Sequence, residues 1–236
     1  MDRLINIIID ELRLLSTDEK RNILPRFFKT GKGEYGDGDK FLGVSVPDVR
    51  KVAKNHKNAT INELTEMMQS EWHEVRLCSL LIMVEQFKNT DDEGRKRIVD
   101  FYLSVTNRIN NWDLVDLSCP AIIGEYLLNR SHDLLYRLAE SSLLWENRIA
   151  IVSTIIFIRH GQLDDTFNLS IKMMNHPHDL MHKAIGWMLR EAGKRDEARL
   201  YNYVKTYRLE MPRTMLRYAI EKFDKNVRAE LMKRDI

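Results

Sequence analysis

The sequence predicts an all-α fold, arranged as an α-solenoid of paired helices. Apolar residues recur at helical spacing along almost all of the 236 residues, and only ten glycines and five prolines interrupt them. The expected second helix of each pair also recurs at a nearly constant step. With 44% hydrophobic and 31% charged residues, the chain is typical of a globular protein. We therefore expect one all-helical domain over residues 1–236.

Two helices, over about residues 2–15 and 17–29, are expected at the start of this domain. The segment MDRLINIIIDELRLL alternates apolar and charged side chains at helical spacing, which is typical of an amphipathic helix and not of a secretion signal. The Gly-rich stretch GKGEYGDGDKFLG that follows predicts a long loop, because it lacks the GK[ST] ending of a phosphate loop and a full set of calcium ligands. Pro47 then suits the first turn of a helix capped by Ser45.

Tandem two-helix repeats are expected over about residues 60–233, after the N-terminal part that ends near residue 58. The second helices align with steps of 36, 36, 35 and 34 residues. Such a period is typical of stacked units that bury their apolar faces on one another. The aligned segments are RLCSLLIM from Arg76, WDLVDLSC from Trp112, RIAIVSTI from Arg148, KAIGWMLR from Lys183 and RYAIEKFD from Arg217.

The period also predicts two rows of register-equivalent residues. Four cations and one tryptophan form the first row, which suits a concave basic groove that follows a phosphate backbone. The alternative is that polar residues simply open helices whose middles are buried. The first row is Arg76, Trp112, Arg148, Lys183 and Arg217, and the second, one turn further on, is Leu80, Asp116, Val152, Trp187 and Glu221.

The distribution of charge favours an anionic partner. The net charge of the chain is only +2, but residues 182–236 contain 14 Lys and Arg against 8 Asp and Glu, a local excess of six positive charges. The remaining residues contain 23 against 27. A basic C-terminal part is typical of proteins that bind nucleic acid, although a solvated helical surface with a chance excess explains it as well.

Several other classes of protein are disfavoured. Cys78 and Cys119 lie in apolar helical patterns without metal-ligand spacing, so we expect neither disulfides nor zinc, and a cytoplasmic location. His178 and His182 are four residues apart, but no third ligand is evident, and a capped helix start explains the cluster better. The sequence contains no long uncharged apolar run, so we expect no membrane span.

The segment INNWDLVDLSCP contains the strongest candidate for chemistry. Asn110 and Asn111 are candidate helix caps, and Trp112 and Asp116 are four residues apart, so they are neighbours on one helical face. Asp113 is explained by the helix dipole. Asp116 lies in an apolar pattern, so it either pairs with a buried cation or points into a functional groove. Alone, this pair is more typical of packing plus a surface charge.

Three segments of the sequence, NNWDLVD, LLWENRIAIV and HKAIGWMLRE, resemble the signature regions of the DNA alkylation repair family typified by the AlkD DNA glycosylases. FLGVSVPDVRK resembles that family's N-terminal segment, so the resemblance runs from about residue 40 to 223. It implies HEAT-like helical repeats. It also implies that Trp112 and Trp187 contact the deoxyribose, Asp116 is the catalytic carboxylate and Arg148 binds the backbone.

The chemistry of such a site can also be argued from the residue types. A purine alkylated at N3 or N7 is already cationic and leaves as a neutral base without a general acid, so one carboxylate suffices to stabilise the developing positive sugar. Tryptophan faces attract positive charge. We therefore expect a monofunctional alkylpurine DNA glycosylase that acts on duplex DNA without metal, cofactor or obligate protein partner. The alternative is a non-catalytic helical-repeat module that binds nucleic acid or protein.

Overall fold

The computed structural model describes residues 3–233, and over this range the expectation of an all-α fold is confirmed. Within the described range, the strand-like pairing is an isolated bridge between Lys40 and Trp72. The chain divides into two compact units, unit 1 up to Ser118 and unit 2 from Cys119 onward. Each unit contains its own apolar core.

Unit 1 contains the two N-terminal helices and the helix after Pro47 that the sequence predicts. Thr17 and Ser45 cap the second and third helices, since each side chain accepts a hydrogen bond from a backbone N–H of the first turn. A short 3₁₀ turn, Thr106–Arg108, precedes the last helix. The helices are α1 (Leu4–Leu14), α2 (Asp18–Phe27), α3 (Val46–Asn55), α4 (Ile61–Met68), α5 (His73–Lys88), α6 (Asp92–Ser104) and α7 (Trp112–Asp116).

Helix α5 is the centre of unit 1. Its residues from His73 to Val84 are all buried, and α1, α3, α4, α6 and α7 pack against it. A helix that is buried on every face has to satisfy its polar side chains internally, because water cannot reach them. Three such side chains of α5, those of His73, Glu74 and Arg76, therefore decide how the neighbouring segments are held.

The Gly-rich loop is fixed to the start of α5. The carboxylate of Glu74 accepts hydrogen bonds from the backbone N–H groups of Leu42, Gly43 and Val44 at 2.8–3.2 Å. Gly43 has φ +88°, and a Cβ there would lie 2.7 Å from the backbone nitrogen of Arg21, so only glycine fits. The predicted loop is confirmed, and its last residues are anchored to the core.

Unit 2 begins with a π-helical segment, Pro120–Gly124. Longer helices then pack in succession, α10 on α12 and α12 on α14, while α9 packs on α10, α11 on both α10 and α12, and α13 on α12. The helices of unit 2 therefore pack on their neighbours, as the sequence period predicts. HEAT-like repeats and a basic groove stay predictions. The helices are α8 (Glu125–Leu127), α9 (Asp133–Ala139), α10 (Leu144–Arg159), α11 (Asp164–Lys172), α12 (Asp179–Gly193), α13 (Glu197–Tyr207), α14 (Arg213–Ala219) and α15 (Lys225–Leu231).

Helices α12 and α14 approach each other closely at Gly186. A Cβ at this position would lie 2.6 Å from the carbonyl oxygen of Met215 and 2.5 Å from Cβ of Tyr218. Real Cβ atoms do not tolerate such distances, so the glycine permits backbone-to-helix contact here. The contact fixes α12 at the residue before Trp187.

Each unit contains one buried free cysteine, Cys78 in α5 and Cys119 at the start of unit 2. Burial, together with the charge of Glu11, raises the pKa of the Cys78 thiol far above its ordinary value. Over residues 3–233 no group of three or more His, Cys, Asp or Glu side chains is placed to hold a metal ion. In the same range no helix has the length and apolar character needed to cross a membrane.

Candidate nucleic-acid site

Helix α7 begins with the cap that the sequence predicts. Asn111 has extended backbone dihedrals, and its Oδ1 accepts a hydrogen bond from the backbone N–H of Trp112 at 2.9 Å. The amide Nδ2 of Asn111 donates to the carbonyl oxygen of Phe28 at 3.3 Å. The cap is completely buried, so it anchors α7 to the end of α2 as well as starting the helix.

The indole of Trp112 rests on an aromatic platform made by Phe27, Phe28 and Phe41. Phe28 stacks on the indole with ring centroids 5.3 Å apart, and Phe27 meets it edge-on at 5.7 Å. Phe41 in turn stacks on Phe28 at 5.1 Å. The indole is half-buried, so the platform supports part of it and leaves the rest open to solvent or a ligand. Aromatic contacts of this kind restrict the ring to one orientation.

Behind Trp112 lies a buried charge network formed by Asp39, His73, Arg76, Asn110 and Asp113. His73 Nε2 is 2.8 Å from Asp113 Oδ2, and its Nδ1 is 3.3 Å from Asp39 Oδ2. Arg76 Nη2 is 2.8 Å from Asp39 Oδ1 and donates to Asn110 Oδ1 at 3.0 Å. The network therefore joins the Gly-rich loop, α5 and the start of α7.

His73 is held as an imidazolium by this network. Burial would lower the pKa of His73, but the charge and hydrogen bond of Asp113 and the hydrogen bond to Asp39 outweigh it and raise that pKa to about 9. Both ring nitrogens then donate at neutral pH. Burial also opposes ionisation of Asp39, yet the hydrogen bond from His73 and the charge of Arg76 lower the pKa of Asp39 below its ordinary value.

Arg76 is enclosed in unit 1, whereas the predicted groove requires its guanidinium to be accessible to a phosphate. Its side chain is 0% exposed and its guanidinium binds Asp39, Asn110 and the carbonyl oxygen of Ser70. A phosphate cannot reach a group that is enclosed in this way. We therefore remove Arg76 from the residues expected to contact DNA. The predicted period assigns Arg76 a register, but register does not decide burial.

Asp113 and Asp116 occupy different environments in the same short helix. Asp113 is buried and bound to His73. Asp116 is the last residue of α7 and is half-buried, four residues from Trp112. Unit 1 therefore presents one tryptophan and one carboxylate at neighbouring positions on a helical face. The helix dipole alone does not explain Asp113, because the buried imidazolium of His73 is its main partner.

In unit 2, Arg148 lies near the start of α10 and is buried, with Nη1 donating to the carbonyl oxygen of Leu180 at 2.9 Å. This bond joins α10 to the first turn of α12. Lys183 follows in α12 and is 2.8 Å from Asp179, with its side chain 41% exposed. Arg217 is exposed on α14. These cations thus differ widely in how accessible they are.

The histidine cluster forms the start of α12. The Nδ1 of His178 accepts from the backbone N–H of Leu180, and the Nδ1 of His176 accepts from the backbone N–H of His178, both at 3.1 Å. His182 Nε2 lies 2.6 Å from the carbonyl oxygen of His176. The rings are therefore used in capping, as the sequence suggests, and burial lowers the pKa of His176 and of His178.

Trp187 lines a surface hollow of about 430 Å³ at the ends of α10 and α12. The indole is half-buried. The other lining residues are two isoleucines, Ile155 and Ile158, three cations, Arg159, Lys194 and Arg195, and Glu191. An aromatic ring bordered by cations is suited to a sugar–phosphate chain, since the ring contacts the sugar while the cations bind phosphate.

The sequence alone did not point to the aromatic platform or to the buried charge network. Phe28 and His73 carry no local motif, and Asp39 lies in a stretch for which composition predicts only a loop. A weak signal was available, because a histidine and an arginine in the otherwise apolar α5 have to find buried partners. Nothing in the spacing shows that the two carboxylate partners of His73 lie 34 residues before it and 40 residues after it.

Comparisons with known proteins indicate the family and the fold of this chain. The family model described as DNA alkylation repair enzyme matches residues 8–223. A solved structure described as a predicted DNA alkylation repair enzyme from Enterococcus faecalis has a similar fold, with a TM-score of 0.69, 15% identity, and coverage of 89% of this chain and 97% of that chain. No curated protein matches the sequence. Because the family match spans most of its length, the chain belongs to the DNA alkylation repair enzyme family.

Proposed function

We propose that the protein is a DNA glycosylase that hydrolyses the N-glycosidic bond of cationic alkylated purines, N3-alkyladenine and N7-alkylguanine, in duplex DNA. Membership of the DNA alkylation repair enzyme family supports a repair function. The observation that carries the finer proposal is the Trp112–Asp116 pair on α7, half-buried and supported from behind by the aromatic platform. The released base would be the first product of base excision repair.

The proposed reaction requires little of the protein. The C1′–N bond breaks, its electron pair leaves with the base, and the positive charge of the alkylated purine is neutralised. A water molecule then adds to C1′ and gives up a proton to the solvent. The carboxylate of Asp116 would stabilise the positive charge on the sugar and orient that water, and the face of Trp112 would stabilise that charge by about 0.5–2 kcal/mol. From the family resemblance we also propose that Trp187 contacts deoxyribose. No metal or organic cofactor takes part in this scheme.

Asp116 is a better candidate than Asp113 for this role. The carboxylate of Asp113 is buried and neutralised by His73 at 2.8 Å, so it cannot reach a sugar without leaving its partner. Asp116 is half-buried at the other end of the helix. We assign Asp113 to the support of α7 and Asp116 to the chemistry.

Unit 2 would supply the contacts to the DNA backbone. Trp187 would face the sugar, while Lys183 and Arg217 would bind phosphates. The exposure of Lys183 and Arg217 supports this role. Arg148 is buried and bound to Leu180, so its contribution would be a fixed positive charge close to the backbone. Two buried free thiols are compatible with a reducing cytoplasm, where we place the protein.

The direct test is release of free base from duplex DNA that contains N7-methylguanine. We expect wild type to exceed the spontaneous rate, and Asp116→Asn to abolish the excess while binding duplex DNA as wild type does. Asp100→Asn, which changes an exposed carboxylate on α6, is the matched control and should retain activity. Wild type that binds DNA without releasing base would contradict the proposal and favour the non-catalytic binding module.

A further inference from the structure

The hollow beside Trp187 contains two arginines that belong neither to the residues expected from the family resemblance nor to the two repeat rows. Arg159 is the last residue of α10, and Arg195 follows the end of α12. Both side chains are exposed, and both line the same hollow as Trp187. The hollow lies entirely within unit 2, so its geometry depends on the packing of α10 against α12.

The charges of the hollow do not balance internally. Its one acidic residue, Glu191, is 2.7 Å from Lys194 Nζ and 3.4 Å from Arg190 Nε. These two cations neutralise Glu191, so it is not available to Arg159 or Arg195. The two arginines therefore contribute two uncompensated positive charges to a surface that also contains an indole.

Neither arginine has a partner of its own. Over residues 3–233 no hydrogen bond, ion pair or ring contact involves the guanidinium of Arg159 or Arg195. Cations are stabilised near helix C-termini by about 0.3–1 kcal/mol, which accounts for a positive charge at both positions. The helix dipole does not account for two guanidinium groups that line the same hollow as Trp187, because lysine would serve the dipole equally well.

We propose that Arg159 and Arg195 bind two phosphates of the DNA strand whose deoxyribose faces Trp187. The choice of DNA as the polyanion rests on the proposed function. A guanidinium matches two phosphate oxygens with two parallel N–H donors, and phosphates flank every sugar of the strand. One indole and two such cations in the same hollow thus supply contacts for a sugar and for the phosphates on either side of it. The two arginines extend the expected binding set of Arg148, Lys183 and Arg217.

The test measures binding and not activity. Arg159→Gln/Arg195→Gln removes both charges from exposed positions, so folding is not at risk. The probe is a duplex with a tetrahydrofuran abasic analogue, which no glycosylase can hydrolyse, and affinity is measured by fluorescence anisotropy over a range of salt concentrations. We expect affinity at low salt to fall at least about tenfold. The slope of log affinity against log salt should become shallower by about 1.8, since each lost phosphate contact removes about 0.9.

Lys54→Gln/Arg137→Gln is the matched control, because it removes the same two charges from exposed positions on α3 and α9. If the double variant at the hollow binds with the affinity and salt slope of this control, the proposal is overturned. If wild type releases no methylated base while the hollow variant still loses salt-dependent binding, the glycosylase proposal fails and the phosphate contacts stand. If wild type releases methylated base while the hollow variant binds like the control, the glycosylase proposal stands and the phosphate contacts fail.

Discussion

The imidazole of His73 lies between two carboxylates, with Nε2 2.8 Å from Asp113 and Nδ1 3.3 Å from Asp39. One carboxylate belongs to α7 and the other to the Gly-rich loop. A single buried cation thus holds the helix that contains Trp112 and Asp116 against the loop that precedes α3. The stability of unit 1 should therefore depend on the charge of His73.

The first prediction is that unit 1 loses stability at alkaline pH. The pKa of His73 is raised from 6.5 to about 9, so its contribution is fully present below pH 6.5 and is lost as the pH rises through about 9. The contribution is on the order of 3 kcal/mol. Urea unfolding at pH 6.5 and 9.5 should show that wild type loses this amount and that His73→Gln does not.

An NMR titration of the imidazole of His73 tests the same prediction independently of any variant. A pKa near 6.5 in the folded protein would contradict it.

The carboxylate of Asp39 should affect stability at acidic pH, because the pKa of Asp39 is lowered in the folded state. Its contribution is present above pH 3.8, its unfolded value, and is lost as the pH falls further.

The second prediction separates the two aspartates of α7. Asp113→Asn leaves His73 with a neutral buried neighbour, and breaking a buried ion pair costs about 3–5 kcal/mol. Asp116→Asn changes a half-buried side chain and should cost less than about 1 kcal/mol. Urea unfolding at pH 7 measures both. Equal losses of stability would contradict the division into a supporting and a reacting carboxylate.

The third prediction concerns the anchor of the Gly-rich loop. Glu74→Gln places an amide NH₂ group where three backbone N–H groups need acceptors, so we expect a loss of about 2–4 kcal/mol in the free energy of unfolding. Glu71→Gln is the control, because the Lys40–Glu71 pair is 55% exposed at both side chains. It should cost no more than about 0.5 kcal/mol. Similar costs for the two variants would show that the loop is not anchored through Glu74.

The fourth prediction concerns the contact of α12 with α14. Gly186→Ala would place a Cβ 2.6 Å from the carbonyl oxygen of Met215, so the helices have to separate. Gly193→Ala, in the same helix, meets only the side chain of Leu200, whose Cδ2 can rotate away. Thermal unfolding should show a loss of about 2–3 kcal/mol for Gly186→Ala and a much smaller one for Gly193→Ala. The reverse order would contradict the close approach.

Local signals in the sequence predicted local structure well. Asn111 stands before an apolar helical segment and caps α7, as expected. Ser45 and Pro47 mark the start of α3 in the same way. These features depend on hydrogen bonds within one helical turn, so residue type and order contain the necessary information. The aligned segments from Arg148 and Lys183 lie within α10 and α12, whereas the segment from Arg217 extends past the end of α14 at Ala219.

Long-range partners were beyond the sequence. The predicted period gives Arg76 and Arg148 the same register, but Asp39 binds the first and the carbonyl of Leu180 binds the second. The period contains no information about which loop folds back over a given helix. For the same reason Arg159 and Arg195 escaped notice, because they occupy no equivalent positions in the repeats. Their common hollow exists only once α10 and α12 are packed.

The two buried cysteines make each unit separately observable. Cys78 lies in the centre of unit 1 and Cys119 begins unit 2, and both are closed to solvent in the folded chain. A thiol reagent such as iodoacetamide can modify either residue only after its own surroundings open. Timed alkylation followed by peptide mass spectrometry would then record two opening rates from one native sample, without the introduction of any new cysteine.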